Sequence, residues 1–308
     1  MKSYIKRAIT FLLVFSMVFV TVCPAHADAV TNTTTKIEDV GTGKMFIQET
    51  NEKLIAIGAD NTTHIITVSI KYTSNPNTVY QWIFDDYPQE EFNMNSTSFW
   101  DEVIDYAEEN SGEATEIQFA YEEVTADEPM VLSSAGADLR EDIEERHGNE
   151  YSDKRVSTQV MGGQVFHMYE NLWISIAKVG AHTWNNGITL SSLVVGILGL
   201  TATNPIMGTI CTVLGIAFTV GSMTLSAGKL NRYTCTAHYN RYVRRDTGYK
   251  LATSDKVITY KGYEDADLNS SGRASIVPAT QSVVYSISQT HFNSGIFDEA
   301  YQSYLLGN

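Results

Sequence analysis

Positive charge is scarce in this chain, with 21 Lys and Arg against 36 Asp and Glu in 308 residues. Without a basic footprint, nucleic acid is excluded as a partner. Catalytic signatures are also missing. The mature histidines (His64, His147, His167, His182, His238 and His291) form no His-Glu-x-x-His pair, and no Gly-x-Ser-x-Gly elbow or phosphate loop occurs. No enzyme class, cofactor or catalytic residue is indicated. Cysteine is sparse too: Cys23 lies near the start, leaving Cys211 and Cys235. A Cys211–Cys235 bridge requires the chain to reverse sharply, because the Cα atoms must come within about 7 Å. The alternative is one buried thiol and one incidental cysteine. Finally, from Val179 to Gly228 there is no Asp, Glu, Lys or Arg.

At the start, Lys2, Lys6 and Arg7 precede an apolar run from Ala8 to Val22, then Pro24 and Ala25-His26-Ala27. Positive head, short apolar core and small residues predict a cleaved secretory signal peptide over 1–27 and a secreted, extracellular product. Removing it takes the basic side chains from 21 to 18 against 36 acidic ones, a formal charge of −18. Charge is uneven along the rest. Residues 85–153 carry 22 acidic and two basic side chains, while 229–256 carry seven basic and two acidic.

The pattern over 28–160 predicts an acidic, β-rich domain with one or two helices. Met45–Ile47 and Leu54–Ile57 flank a polar turn and read as a hairpin. Phe99, Val103, Tyr106 and Ala107 recur at helical spacing, so a helix is expected over 98–109 with Ser98 as its cap. A second, charged helix is expected over 137–146. Residues 160–178 fit strand or helix equally. Residues 231–308 predict a β-rich region closed by a helix over 297–305.

Between these, 161–230 predicts a hydrophobic helical hairpin. Two apolar runs, 188–203 and 206–227, are separated by Asn204-Pro205, which supply the turn. Their membrane-inserting side chains would be Leu190, Leu193, Val194, Val195, Ile197, Leu198 and Leu200, then Ile210, Val213, Leu214, Ile216, Phe218 and Val220. Small residues four apart, such as Gly208/Thr212 and Gly215/Thr219, permit close helix approach in a bilayer. Lys229, Arg232, Arg241, Arg244 and Arg245 would attract anionic lipid, at roughly 1 kcal/mol each. Three readings compete: a buried core of a globular domain, a permanent anchor, and a span kept packed until it enters a target membrane. The expected fold class is therefore α+β, with β-rich regions flanking a central hydrophobic hairpin.

This layout of short leader, β-rich first half, glycine-rich apolar centre and basic, β-rich tail resembles the large, heat-labile secreted bacteriocins of the geobacillin type. The resemblance implies an antibacterial protein that permeabilises the membranes of related Gram-positive cells, with target lipids and an immunity or receptor protein as partners. The alternatives are a cell-surface binding protein anchored by the same stretch, and a secreted hydrolase without a recognisable site.

Two further motifs carry less. Cys235 and His238 could form a metal half-site or a thiol–imidazole pair, but residues three apart on a strand face opposite sides. Asp265, Asp267 and Asn269 have calcium-loop spacing, yet Ser270 and Ile276 stand where glycine and a bidentate glutamate belong, so a polar turn and no metal is expected.

Overall fold

The computed structural model describes residues 33–85, 87–88, 91–124, 134–200, 202, 228–246, 248–265 and 274–307. The expected leader, the Asn204-Pro205 turn, the inserting residues from Ile210 to Val220, Cys211, Asp267 and Asn269 all lie outside the described residues.

Among the described residues eleven antiparallel strands dominate: β1 Thr34–Val40, β2 Gly43–Glu49, β3 Lys53–Asp60, β4 Ile66–Tyr72, β5 Thr78–Phe84, β6 Thr115–Glu123, β7 Tyr151–Met161, β8 Gln164–Trp184, β9 Gly228–Arg244, β10 Ala252–Asp265 and β11 Ala274–Tyr285. They join in one sheet of order β1-β2-β3-β4-β5-β6-β8-β9-β10-β11, with β7 paired beside β8. β6 and β7 share one edge of the long β8, at its two ends. The helices are α1 Thr97–Glu109, α2 Ser134–His147, the single turn α3 Leu190–Leu193 running into a π turn Val194–Leu198, and α4 Ile296–Leu305 after a π turn His291–Gly295.

The α+β hairpin architecture is thereby corrected. The sheet is continuous across both β-rich regions, and no helical hairpin exists among the described residues. The first apolar run makes about two helical turns and stops at Gly199, whose left-handed backbone ends the helix. The ambiguous segment 160–178 is the end of β7, a Gly162-Gly163 turn and most of β8, where even positions (Phe166, Met168, Leu172, Ile174) are buried while Trp173 and Ser175 on the other face are exposed. The expected helix over 98–109 exists, but Ser96 occupies the cap position and makes no side-chain bond to the backbone.

Alternation builds four apolar cores. On one side of β2–β5, Phe46, Ile55, Ile57, Val68 and Trp82 pack against Phe99, Trp100 and Val103 of α1. α2 lays Leu139 and Ile143 on Leu172, Ile174, Cys235 and Ile258 of β8–β10. α4 lays Phe297 and Ala300 on Phe166, Met168 and Val243. The other side of β2–β5 is covered by the apolar segment itself. Ile188, Leu190, Leu193, Val194, Val195, Ile197, Leu198 and Leu200 fill the space between Met45, Ile47, Ala56 and Val79 on one flank and Leu230, Tyr263 and Val277 on the other.

Candidate functional site

The register of β8 and β9 determines where the charge-free stretch sits. Trp184 pairs with Gly228, so the chain leaves one strand and returns on its immediate neighbour. Residues 185–227 are one excursion between two adjacent, paired strands. Polar bonds sew its first residues to the sheet. The Asn185 Oδ1 accepts from the Gln118 amide (2.9 Å), and the Asn186 Nδ2 donates to the Glu116 carbonyl (2.8 Å). The Gln81 side chain is a hub: its Nε2 donates to the Gly187 carbonyl (3.2 Å). Its Oε1 accepts from the Thr189 amide (2.7 Å) and the Ser192 hydroxyl (2.6 Å).

A buried hydroxyl network continues from that hub. The Ser69 Oγ lies 2.8 Å from the Oγ of both Ser191 and Ser192, and the Ser191 hydroxyl donates to Thr67 Oγ1 at 3.2 Å. Thr189 caps α3 by accepting from the Ser192 amide. Ser69, Ser191 and Ser192 have no accessible surface, and Thr67 and Thr189 have almost none. Beyond Ser192 the contacts turn apolar, and Leu193 to Leu198 are buried apart from half-buried Gly196. Gly196 sits where any Cβ would come within 2.5 Å of the Phe119 ring, so its glycine is required by close approach. All seven expected inserting residues from Leu190 to Leu200 are thus brought together, in the core.

The expected lipid-attracting residues are not brought together. Strand alternation puts Lys229 and Arg241 on one face of β9 and Arg232 and Arg244 on the other. Lys229 pairs with Glu122 at 3.7 Å. Arg241 donates through Nε to Glu170 at 2.6 Å and through Nη1 to the Phe292 carbonyl at 3.0 Å. Arg244 lies over the Tyr169 ring at 4.3 Å. Arg245, just past the strand end, donates to Gln164 Oε1 at 2.6 Å and lies over Tyr304. Among the described residues Arg232 and Arg244 have no carboxylate or carbonyl partner.

Cys235 is a free, fully buried thiol under α2, pushed up to about 12 by burial and by Asp142. His238 projects from the opposite face, stacked on Trp173 with ring centroids 5.0 Å apart, and its Nε2 is 3.1 Å from Ser175 Oγ. The two form no half-site, as alternation requires. Among the described residues no cluster of three His, Cys, Asp or Glu side chains could hold a metal ion.

A polar lattice that sequence reading missed joins α2 to the sheet. His147 contacts the hydroxyls of Tyr260 (2.7 Å, Nε2) and Tyr239 (3.0 Å, Nδ1). Glu170 accepts from Arg241 and from the Tyr151 hydroxyl. Burial and Glu170 push the Tyr151 phenol well up, while burial, Lys256 and Arg146 push His147 down. Each acid or base in this lattice already has its partners, as in a staple between helix and sheet. Its members are spread from 147 to 260 and share no motif, so only strand register could have gathered them.

No protein-family model, curated protein or solved structure matches the chain.

Proposed function

We propose that this is a secreted antibacterial protein that permeabilises target membranes, with the excursion 185–227 as the part that leaves the fold to enter the bilayer. The observation that carries the reading is the pairing of Trp184 with Gly228. Because both ends sit side by side on adjacent strands, the excursion can leave without breaking the β8–β9 ladder.

Energetics favour an exchange over spontaneous release. Seven apolar side chains from Leu190 to Leu200 are at most 7% exposed. At about 1.5–3 kcal/mol each, their burial holds the segment by on the order of 10–20 kcal/mol in water. A hydrocarbon phase removes the same surface from water and offsets most of that term. Charged groups would add about 2.5–3.5 kcal/mol each at mid-membrane, and this stretch has none. Remaining costs are the Ser69–Ser191–Ser192 hydroxyl bonds and exposure of the inner face of β2–β5. Target-membrane lipids are the partner this reading requires, and an immunity or receptor protein would act at the same release step. Among the described residues no helix is long and apolar enough to cross a membrane.

A reversible lock tests this. Cysteines replacing Ser69 and Ser191, whose Oγ atoms are 2.8 Å apart, can form a disulfide across the clasp in a Cys211→Ser background. The 28–308 protein should release dye from anionic liposomes, the oxidised double variant should not, and reduction should restore release. Leakage by the oxidised form would overturn the proposed route. No leakage from the folded parent would overturn membrane permeabilisation itself.

A further inference from the structure

Four cationic or imidazole side chains from four strands converge where the excursion leaves the sheet. They are Lys71 on β4, His182 on β8, Arg232 on β9 and Lys261 on β10. A one-residue bulge in β8 makes this possible. Up to Lys178 the odd residues of β8 face the even residues of β9; the register then shifts between Lys178 and Gly180, and Gly180 pairs with Arg232. The shift turns His182 onto the face of Arg232. Tyr263 pairs with Arg232, and Lys261, two residues earlier in β10, shares that face.

Gly180 completes the arrangement. A Cβ there would lie 2.4 Å from the Glu122 carbonyl oxygen and 2.5 Å from the Tyr121 hydroxyl. With no side chain, it lets the Tyr121 phenol lie across the strand and donate to the Val179 carbonyl at 3.0 Å. The Arg232 guanidinium rests over that ring at 5.4 Å, and the His182 ring centroid is 4.7 Å from it. An aromatic face therefore positions the guanidinium, and its N–H donors are not consumed by a carboxylate.

Two of the polar atoms are orphaned. Arg232 Nε and His182 Nε2 are buried and have no hydrogen-bond partner. Buried polar atoms without partners are rare in folded proteins, and a bound ion is one group that supplies the missing partner. The electrostatics agree: burial, then Arg232, Lys261 and Lys71, hold His182 down at about 4. Burial and Arg232 depress Lys261, and burial depresses Lys71. Among the described residues no carboxylate pairs with any of the four.

We propose that Lys71, His182, Arg232 and Lys261 form a binding site for a phosphate-class anion, taken up as free phosphate or as the headgroup phosphate of an anionic lipid. Three cations match an anion with several oxygens; a lone carboxylate would leave two charges uncompensated. The imidazole Nε2 and the guanidinium Nε supply directional bonds, and the lysines supply point charges. The site stands apart from the proposed membrane activity, because it needs no movement of the excursion.

The test is titration of the folded 28–308 protein with inorganic phosphate at pH 7, by calorimetry and by the His182 imidazole resonances. Saturable binding with a His182 shift is expected, weakened roughly tenfold or more in Arg232→Gln, the loss of one charge-assisted contact set. Lys71→Gln, at a half-buried strand end, should weaken it likewise and serves if the arginine variant does not fold. Vesicles of phosphatidylglycerol, against phosphatidylcholine, separate the two sources: vesicle binding that depends on Arg232 and is displaced by phosphate identifies the headgroup. Binding of phosphate alone identifies the free anion. No saturable binding of either, or binding equal in both variants and the parent, overturns the site. Leakage is read in a different assay, so the two ideas fail independently.

Discussion

Replacing Gln81 with leucine should destabilise the fold by stripping three hydrogen bonds from the start of the excursion. Gln81 is 4% exposed, and its amide serves the Gly187 carbonyl, the Thr189 amide and the Ser192 hydroxyl. Leucine conserves the volume and removes all three bonds. The Ser192 hydroxyl keeps Ser69, so two backbone groups are left without their partner. Gly187 is exposed and its carbonyl can turn to water, so the Thr189 amide is the one buried group left unsatisfied, and the expected loss is about 1–3 kcal/mol. Urea unfolding followed by tryptophan fluorescence measures it, with unchanged m-value as the condition for reading a stability difference. Hydrogen exchange locates it: the Thr189 amide should lose protection before the β8–β9 ladder does. Gln159→Leu, at an exposed position of β7, is the control and should move stability by less than about 0.5 kcal/mol. A Gln81→Leu loss under 1 kcal/mol, with Thr189 still protected, would refute the view that this amide holds the excursion. If the membrane reading is right, the same variant should leak liposomes at lower concentration than the parent.

Acid should weaken the fold through His182. Its folded-state value, held down near 4 against an ordinary 6.5, favours the neutral ring, so the unfolded chain binds more protons between those values. That contribution is complete above pH about 6.5 and is lost as pH falls toward 4; the stability difference between parent and His182→Gln should shrink over that window, and a flat difference would contradict it. Cys235, in a Cys211→Ser background, should resist a thiol reagent in the folded protein and react fully in denaturant, since burial keeps it protonated. Stoichiometric reaction under native conditions would show that α2 does not cover it. Gly180→Ala should cost about 1–3 kcal/mol, because the new methyl meets the Glu122 backbone and Tyr121; a thermal midpoint equal to the parent would mean that the β6–β8 seam has room to move.

The apolar stretch shows the limit of hydropathy. Its lack of charge dictates that it leaves water, and the apolar side chains from Ile188 to Leu200 do so in the core. Hydropathy is the same for a bilayer and for a protein interior, so composition could not choose between them. The basic residues after Lys229 look clustered in one dimension, but a strand sends neighbours to opposite faces and the cluster divides. The site at Lys71, His182, Arg232 and Lys261 had no local signal. Lys71 lies far from the others in the chain, and a one-residue bulge sets the face of His182.

What the sequence determined alone was local: the β2–β3 hairpin from its polar turn, α1 from the spacing of Phe99, Val103 and Ala107, and the opposite faces of Cys235 and His238 from alternation. These follow from periods of 3.6 and 2, which neighbouring residues carry. Only the tertiary structure decided the rest. It joined the two β-rich regions into one sheet, sheathed the start of the excursion against β2–β5, and set Arg232 over the Tyr121 ring. Each depends on register between strands distant in the chain, and register is an energy of the assembled sheet that no single segment contains.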